Sequence, residues 1–189
     1  MNANSCEELI LTSLTQYYND NPEYKKLLKD VIDGKHKLSL RVIDWLVTHY
    51  SKSFNVLYWI HKKSKVIYDT YPVHLDDCKD IKKLNLYLDY RAQLKSYAKI
   101  NFDSFRRHNR ITFFLDLETN EYIQTTIGQL NFFRWAFNNN VLEYANTNYE
   151  KIYQHMIENN SYKKQKKTKS SSQSSVQDIT NTLCTLRFD

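Results

Sequence analysis

Glycine and proline are almost missing from this 189-residue chain, with two of each, and cysteine occurs three times. Two glycines cannot build a glycine-rich phosphate loop, a dinucleotide fingerprint or a collagen repeat. Three cysteines, Cys6, Cys78 and Cys184, do not make a disulfide scaffold. No stretch approaches the roughly 18 consecutive apolar residues of a membrane-spanning helix, so no membrane partner is expected. Met1 to Glu8 lacks the basic start, apolar centre and small-residue cleavage site of a secretory signal. An intracellular, reducing location with unpaired thiols is the expectation.

Present instead are many asparagines, lysines, isoleucines and aromatic residues, with 15 Tyr and 9 Phe. An AT-rich genome yields that profile by coding bias alone, which weakens lysine excess as evidence for a polyanion partner. The formal net charge is +6, and its placement matters more than its size. Between Ser161 and Asp189 the cations are Lys163, Lys164, Lys166, Lys167, Lys169 and Arg187, and the acids are Asp178 and Asp189, which leaves +4 of the +6 there. Residues 1–160 are therefore nearly neutral.

Capping signals and periodicity organise those 160 residues. Ser5 and Glu8 fit a capping box for a helix from about Cys6 to Asn19, and Asn21-Pro22 opens a second that Gly34 closes. A third starts at Ser39 and carries Leu40, Val42, Ile43, Leu46, Val47 and Tyr50. Phe54 to Ile60 and Val66 to Tyr71 read as a hairpin around His61 to Lys65. From Ile81 to Phe105 the pattern is mixed: Leu84, Leu86 and Leu88 alternate, whereas Leu88, Ala92, Leu94, Tyr97 and Ala98 favour a helix. Ile111 to Leu117 and Glu121 to Thr125 form a second hairpin, with Phe113 and Phe114 on opposite faces. Thr126 and Gln129 box a further helix through Phe137, with Arg134 and Trp135 off the centre of its stripe. After Asn138-Asn139-Asn140 a last helix runs from Val141 to about Ile157. The expected fold is α+β: helices packed on a small antiparallel sheet built from two hairpins, in one domain over residues 1–160. A disordered Lys/Ser-rich linker, 161–175, and a short docking segment, 176–189, are expected to follow.

Enzyme chemistry finds no foothold in the motifs. His74 and Cys78 lack a second pair at zinc spacing, and Asp76, Asp77 and Asp80 lack the glycine turn of a calcium loop. No catalytic residue, metal or cofactor is nominated. Asp44 and Asp116 are the acids expected to be partly buried, which a salt bridge to Arg41 or Arg134 explains as well as catalysis does. The cation clusters remain. Arg106, Arg107 and Arg110, at a helix-to-strand junction, are candidate phosphate clamps, against the alternative of surface solvation and helix-end charge compensation. Arg41 and Arg134 join them if the fold gathers all five. Lys163, Lys164, Lys166, Lys167 and Lys169 suit non-specific nucleic-acid binding, nuclear targeting or simple solubility. Phe102, Phe105, Tyr97 and Trp135 interleave the arginines and are expected to pack in the core rather than stack on bases.

Three segments resemble known sequences: Lys37-Leu38-Ser39-Leu40-Arg41-Val42-Ile43-Asp44-Trp45, then Phe102-Asp103 with Phe105-Arg106-Arg107, and above all Thr125-Thr126-Ile127-Gly128-Gln129-Leu130-Asn131-Phe132-Phe133-Arg134-Trp135-Ala136. They are similar to a family of uncharacterised proteins encoded by nucleocytoplasmic large DNA viruses, the mimivirus-like and algal viruses among them. The resemblance covers about residues 37 to 145. It implies a viral origin and a role in the virus factory or virion, in host cytoplasm or nucleus, and supplies no activity, cofactor or catalytic residue. The leading expectation is a non-enzymatic viral protein that associates with nucleic acid through the lysines and the arginine cluster. The alternative is a virion structural or adaptor protein whose exposed Tyr and Trp bind a viral or host protein. The sequence sets no oligomeric state.

Overall fold

A computed structural model describes residues 3–73, 80–116 and 118–162. Helix α1 (Ala3–Asp20) begins ahead of the expected capping box, so Ser5 lies within the helix instead of at its start. In α2 (Pro22–Ile32) proline occupies the first turn, where its missing N–H costs nothing. Asn21 turns its amide back to the Tyr17 carbonyl (2.7 Å), and Gly34 leaves the helix at φ +72°. α3 (Leu40–Trp45) starts where the Ser39 hydroxyl accepts the Val42 N–H at 3.3 Å. The rod continues through a π-helical turn, Leu46–Tyr50, into α4 (Ser51–Ser53), with the Ser51 N–H reaching five residues back to Leu46. Val42, Ile43, Trp45, Leu46, Val47 and Tyr50 are buried along it.

Two small antiparallel sheets follow. β1 (Leu57–His61) is flanked by β2 (Ile67–Tyr68) on one side and β3 (Ile81–Asn85) on the other. β3 is the stretch whose pattern fitted helix and strand alike. It opposes Tyr58 to Leu84, both buried, and ends where the Asn85 side chain accepts the Leu88 N–H (3.1 Å) and starts α5 (Leu86–Tyr97). β4 (Ile111–Asp116) and β5 (Glu121–Thr125) pair as a separate ribbon, Phe113 opposite Ile123 and Phe114 opposite Tyr122. Phe113 is buried and Phe114 exposed, as period-two alternation requires. Both expected hairpins form, but they do not share one sheet, because β3 takes the second edge of β1 while the ribbon packs beside α2.

Helix α5 corrects the expected stripe. Leu86 and Tyr90 face the core, whereas Leu88 is 63% exposed. Asp89, on the inward side, accepts the Trp135 indole N–H at 2.6 Å, which fixes the helix rotation. The partner of that bond lies on α6 (Ile127–Asn138), whose first turn is capped by the Thr126 hydroxyl accepting the Gln129 N–H (3.1 Å). The Gln129 side chain does not complete the box. It accepts from the Thr125 hydroxyl and donates to the Ser104 carbonyl instead. Apart from Ile127, Arg134 and Asn138, every residue of α6 is buried, Trp135 included, so the helix is central to the fold instead of presenting one stripe. Phe102 and Tyr90 pack their rings against Phe132 and Trp135 at centroid distances of 5.5 to 6.4 Å.

The asparagine break joins the two halves of this core. Asn139 donates to the Trp135 carbonyl (2.8 Å), its side-chain oxygen accepts Lys82 Nζ (2.7 Å), and its carbonyl accepts the Tyr58 hydroxyl (2.8 Å). Asn140 turns the chain at φ +52° into α7 (Val141–Thr147), and a helix over residues 149–162 follows. The chain divides into units 1–152 and 153–189. Of the second, the described residues 153–162 are helical; the segments expected to be linker and docking segment lie, from residue 163 on, outside the described residues. Among the described residues, no helix is long and apolar enough to cross a membrane.

Candidate functional site

The arginine cluster sits on a loop whose stem is pinned and whose tip is exposed. α5 stops because Ala98 adopts φ +58°, and a single 3-10 turn, Lys99–Asn101, leads to Phe102, which is fully buried. Asp103 folds its carboxylate onto the Phe105 N–H (2.8 Å) and donates its own N–H to the Gly128 carbonyl (3.1 Å). Ser104 is buried and gives its hydroxyl proton to Asp44 Oδ1 (2.9 Å). A side chain at position 128 would place its Cβ 3.0 Å from the Ile100 carbonyl, a contact so tight that the backbone there would have to give by a few tenths of an ångström, and glycine avoids it at this close seat on the start of α6.

Beyond that stem the arginines separate. Arg106 is half-buried and lines a cleft of about 70 Å³ together with Glu7, Asn109 and Thr126. Arg107 and Arg110 are exposed. Arg107 lies over the Phe105 ring at 5.8 Å, and neither makes an ion pair with a described carboxylate. Arg110 leads directly into β4, where alternation places it on the same face as Thr112 and Phe114. That face is completed by Tyr122 and Gln124 of β5. Phe114 and Tyr122 meet edge to face at 6.1 Å while remaining 45% and 52% exposed. The outer face of the ribbon thus carries an arginine, two accessible rings and two hydrogen-bonding side chains.

Arg41 and Arg134 do not join this group in one cavity. Arg41 is exposed at the start of α3. Arg134 is half-buried and donates to Ser13 Oγ (3.0 Å), the Tyr97 hydroxyl (3.3 Å) and Asn131 Oδ1 (2.8 Å). It lines a polar cleft of about 580 Å³ between α1, α5 and α6, with Gln16, Tyr17, Asp20, Gln93 and Asn138 on its walls. A second groove, about 410 Å³, lies between Leu11, Thr15 and Asn19 of α1 and the edge of β4 that β5 leaves open; there Lys25 Nζ donates to the Leu115 carbonyl (2.8 Å).

The two acids expected to be partly buried are so, and their described hydrogen bonds go to groups other than these arginines. Burial holds the Asp44 carboxyl above its ordinary range, the Ser104 hydrogen bond opposing that rise and the Asp103 charge adding to it. Asp116 lies at the end of β4 and accepts the Glu118 N–H and the Thr119 hydroxyl, both at 2.9 Å, which hold its carboxyl below that range. Asp80 pairs with Lys63 at 2.5 Å. Among the described residues no group of three potential metal ligands occurs. His74, Asp76, Asp77 and Cys78 lie outside those residues, as do Lys163, Lys164, Lys166, Lys167 and Lys169. Phe102 and Trp135 are core residues, as expected, with Tyr97 and Phe105 half-buried. The exposed pair Phe114 and Tyr122 was not singled out from sequence, although a hairpin with aromatics at facing outward positions contains that signal.

No solved structure matches the chain. An uncharacterized protein of Acanthamoeba polyphaga mimivirus is 33% identical to it over 167 residues, which is 87% of this chain and 59% of that protein. The chain therefore spans about three-fifths of the length of this relative. A family profile matches far beyond the three segments that first suggested viral kinship, covering residues 3–185. The chain belongs to that family, DUF7197, a family of unknown function.

Proposed function

We propose that the protein is a non-enzymatic viral factor that associates with single-stranded nucleic acid along the outer face of the β4–β5 ribbon. Arg107 and Arg110, with Arg106 at the base of their loop, contact phosphate. Phe114 and Tyr122 stack on bases, and Lys163, Lys164, Lys166, Lys167 and Lys169 add sequence-independent attraction. One observation carries this reading: Arg110 shares the outer face of the ribbon with two accessible rings, and both it and Arg107, exposed on the adjoining loop, lack a described carboxylate partner. Cationic side chains tracking the backbone, with aromatic platforms beneath the bases, are the usual means of holding a single strand without sequence preference. Such a protein belongs where viral nucleic acid is handled, in the virus factory, nucleus or virion.

Fluorescence anisotropy with a labelled single-stranded oligonucleotide tests the assignment. Each stacked base is worth about 1–3 kcal/mol, so replacing both Phe114 and Tyr122 with Ala should weaken binding by at least about tenfold. Replacing Arg107 and Arg110 with Ala should weaken it to a similar extent for every sequence tested. Unchanged affinity in both variants refutes the ribbon as the binding face.

The adaptor reading rests on a different feature, the groove along the open edge of β4. An extended peptide can add a strand to such an edge. Its tryptophan component is corrected: Trp45 and Trp135 are buried and Trp59 is half-buried under Lys83.

A further inference from the structure

We infer that the polar cleft between α1, α5 and α6 is a nucleotide site, with Arg134 gripping the phosphate of a nucleoside monophosphate unit. This site is separate from the ribbon face and does not depend on it.

Arg134 is built into place. It projects from a central helix, and its partner Asn131, only 1% exposed, is itself oriented by donating to the Asn101 carbonyl (2.9 Å). All three groups that accept from the guanidinium are neutral. A half-buried cation held by neutral acceptors retains nearly its whole charge for a ligand. The donor count narrows the class of anion. Both Nη2 protons are committed, one to Tyr97 and one to Asn131. Either bidentate grip on a carboxylate requires one of them. What remains is Nε–H and one Nη1–H, joined by the Ser13 and Tyr97 hydroxyls, which spend a lone pair on Arg134 and donate their protons to no described residue. Nε–H and the free Nη1–H diverge in the guanidinium plane, so an anion here takes one of them together with a neighbouring hydroxyl, single donors on separate oxygens that a tetrahedral phosphate accepts without a bidentate pair.

The remainder of the cleft fits what a phosphate would carry. At about 580 Å³ it falls in the range of small-ligand pockets, roughly 300–1,000 Å³. The amide N–H groups of Gln93 and Asn138 make no hydrogen bond to a described residue. Tyr17 supplies a ring wall, its hydroxyl donating to Asn138 Oδ1 (3.0 Å). Asp20, seven residues along α1 from Ser13 and hence about 10 Å away by helical rise, accepts from Gln16 on one carboxylate oxygen and leaves the other for a donor. A nucleoside monophosphate spans that separation, its phosphate at Arg134 and the amino group of its base at Asp20.

Calorimetric titration of the full chain with 2′-deoxyadenosine 5′-monophosphate, with deoxyadenosine and with inorganic phosphate tests the site. The monophosphate should bind at least about tenfold more tightly than either fragment. Arg134→Gln should lower its affinity by about 10- to 100-fold, the range for losing a charge-assisted hydrogen bond. Ser13→Ala and Tyr97→Phe, which leave the guanidinium in place, should each lower it by about 2- to 10-fold, and they decide the matter if Arg134→Gln fails to fold. Arg107→Ala with Arg110→Ala should leave it unchanged, which separates this site from the ribbon. Equal affinity for deoxyadenosine and its monophosphate, or no effect of Ser13→Ala and Tyr97→Phe, overturns the inference. Competition by a 5′-phosphorylated oligonucleotide, and not by its 5′-hydroxyl counterpart, identifies a strand end as the source of the phosphate; competition by neither identifies a free nucleotide.

Discussion

Asp44 shows how one buried carboxyl sets a pH response. Its pKa lies above the ordinary value of 3.8, chiefly because burial penalises the charged form. The folded protein therefore binds this proton more tightly than the unfolded chain. That contribution to stability is fully present below about pH 3.8 and is lost as pH rises through the elevated folded value. Asp80, paired with Lys63, and Asp116, bonded to Glu118 and Thr119, have lowered pKa values and act in the opposite sense. Their contributions are present above 3.8 and vanish as pH falls through the folded values. Asp44→Asn keeps an acceptor for Ser104 and removes the titration. Urea unfolding from pH 3 to pH 7 should show wild type losing stability relative to Asp44→Asn as pH rises; a constant difference would show that Asp44 titrates alike in both states.

Scarce glycine leaves its mark on the elements. Among the described residues, six other than glycine adopt positive φ, and four of them are asparagines: Asn55, Asn109, Asn120 and Asn140. Asparagine tolerates the left-handed region better than other side chains do, so turns that glycine usually makes are made here by an abundant residue. Asn120 closes the β4–β5 ribbon at φ +54°. Asn120→Gly should leave stability nearly unchanged, whereas Asn120→Ala should cost about 1 kcal/mol, readable as a lower thermal midpoint; equal effects of the two would mean the turn is not strained. Element boundaries marked by caps were legible in sequence: Ser39, Thr126, Gly34 and the asparagine triplet all act where their chemistry says. Rotation was less legible. The face of α5 is decided by Asp89 meeting Trp135, a contact 46 residues distant in sequence, and β3 is a strand because β1 offers it an edge. Arg134 stood out as a lone cation in an apolar helix, and Asn131 is a partner at helical spacing, but its other two partners, Ser13 and Tyr97, come from α1 and the end of α5, which no local pattern links to it.

At the scale of the whole molecule, charge and fold are separate. Most of the +6 lies beyond residue 160, while the described part offers a few placed cations instead of a basic face. The proposed association with nucleic acid combines them: placed contacts from Arg106, Arg107 and Arg110 on the loop that enters the ribbon, and bulk attraction from Lys163, Lys164, Lys166, Lys167 and Lys169. Counterion release gives that division a number, since log affinity for a single strand falls with log salt at about 0.7 per neutralised phosphate. The decisive measurement is the affinity of the full chain for a single-stranded oligonucleotide across salt concentrations, repeated with those five lysines changed to Gln. Contacts by all eight cations predict a slope of about −5.6, falling to about −2.1 in the Gln variant with residual binding still sensitive to Arg107 and Arg110. Binding that ignores salt, or a slope unaltered by the lysine changes, would contradict the account.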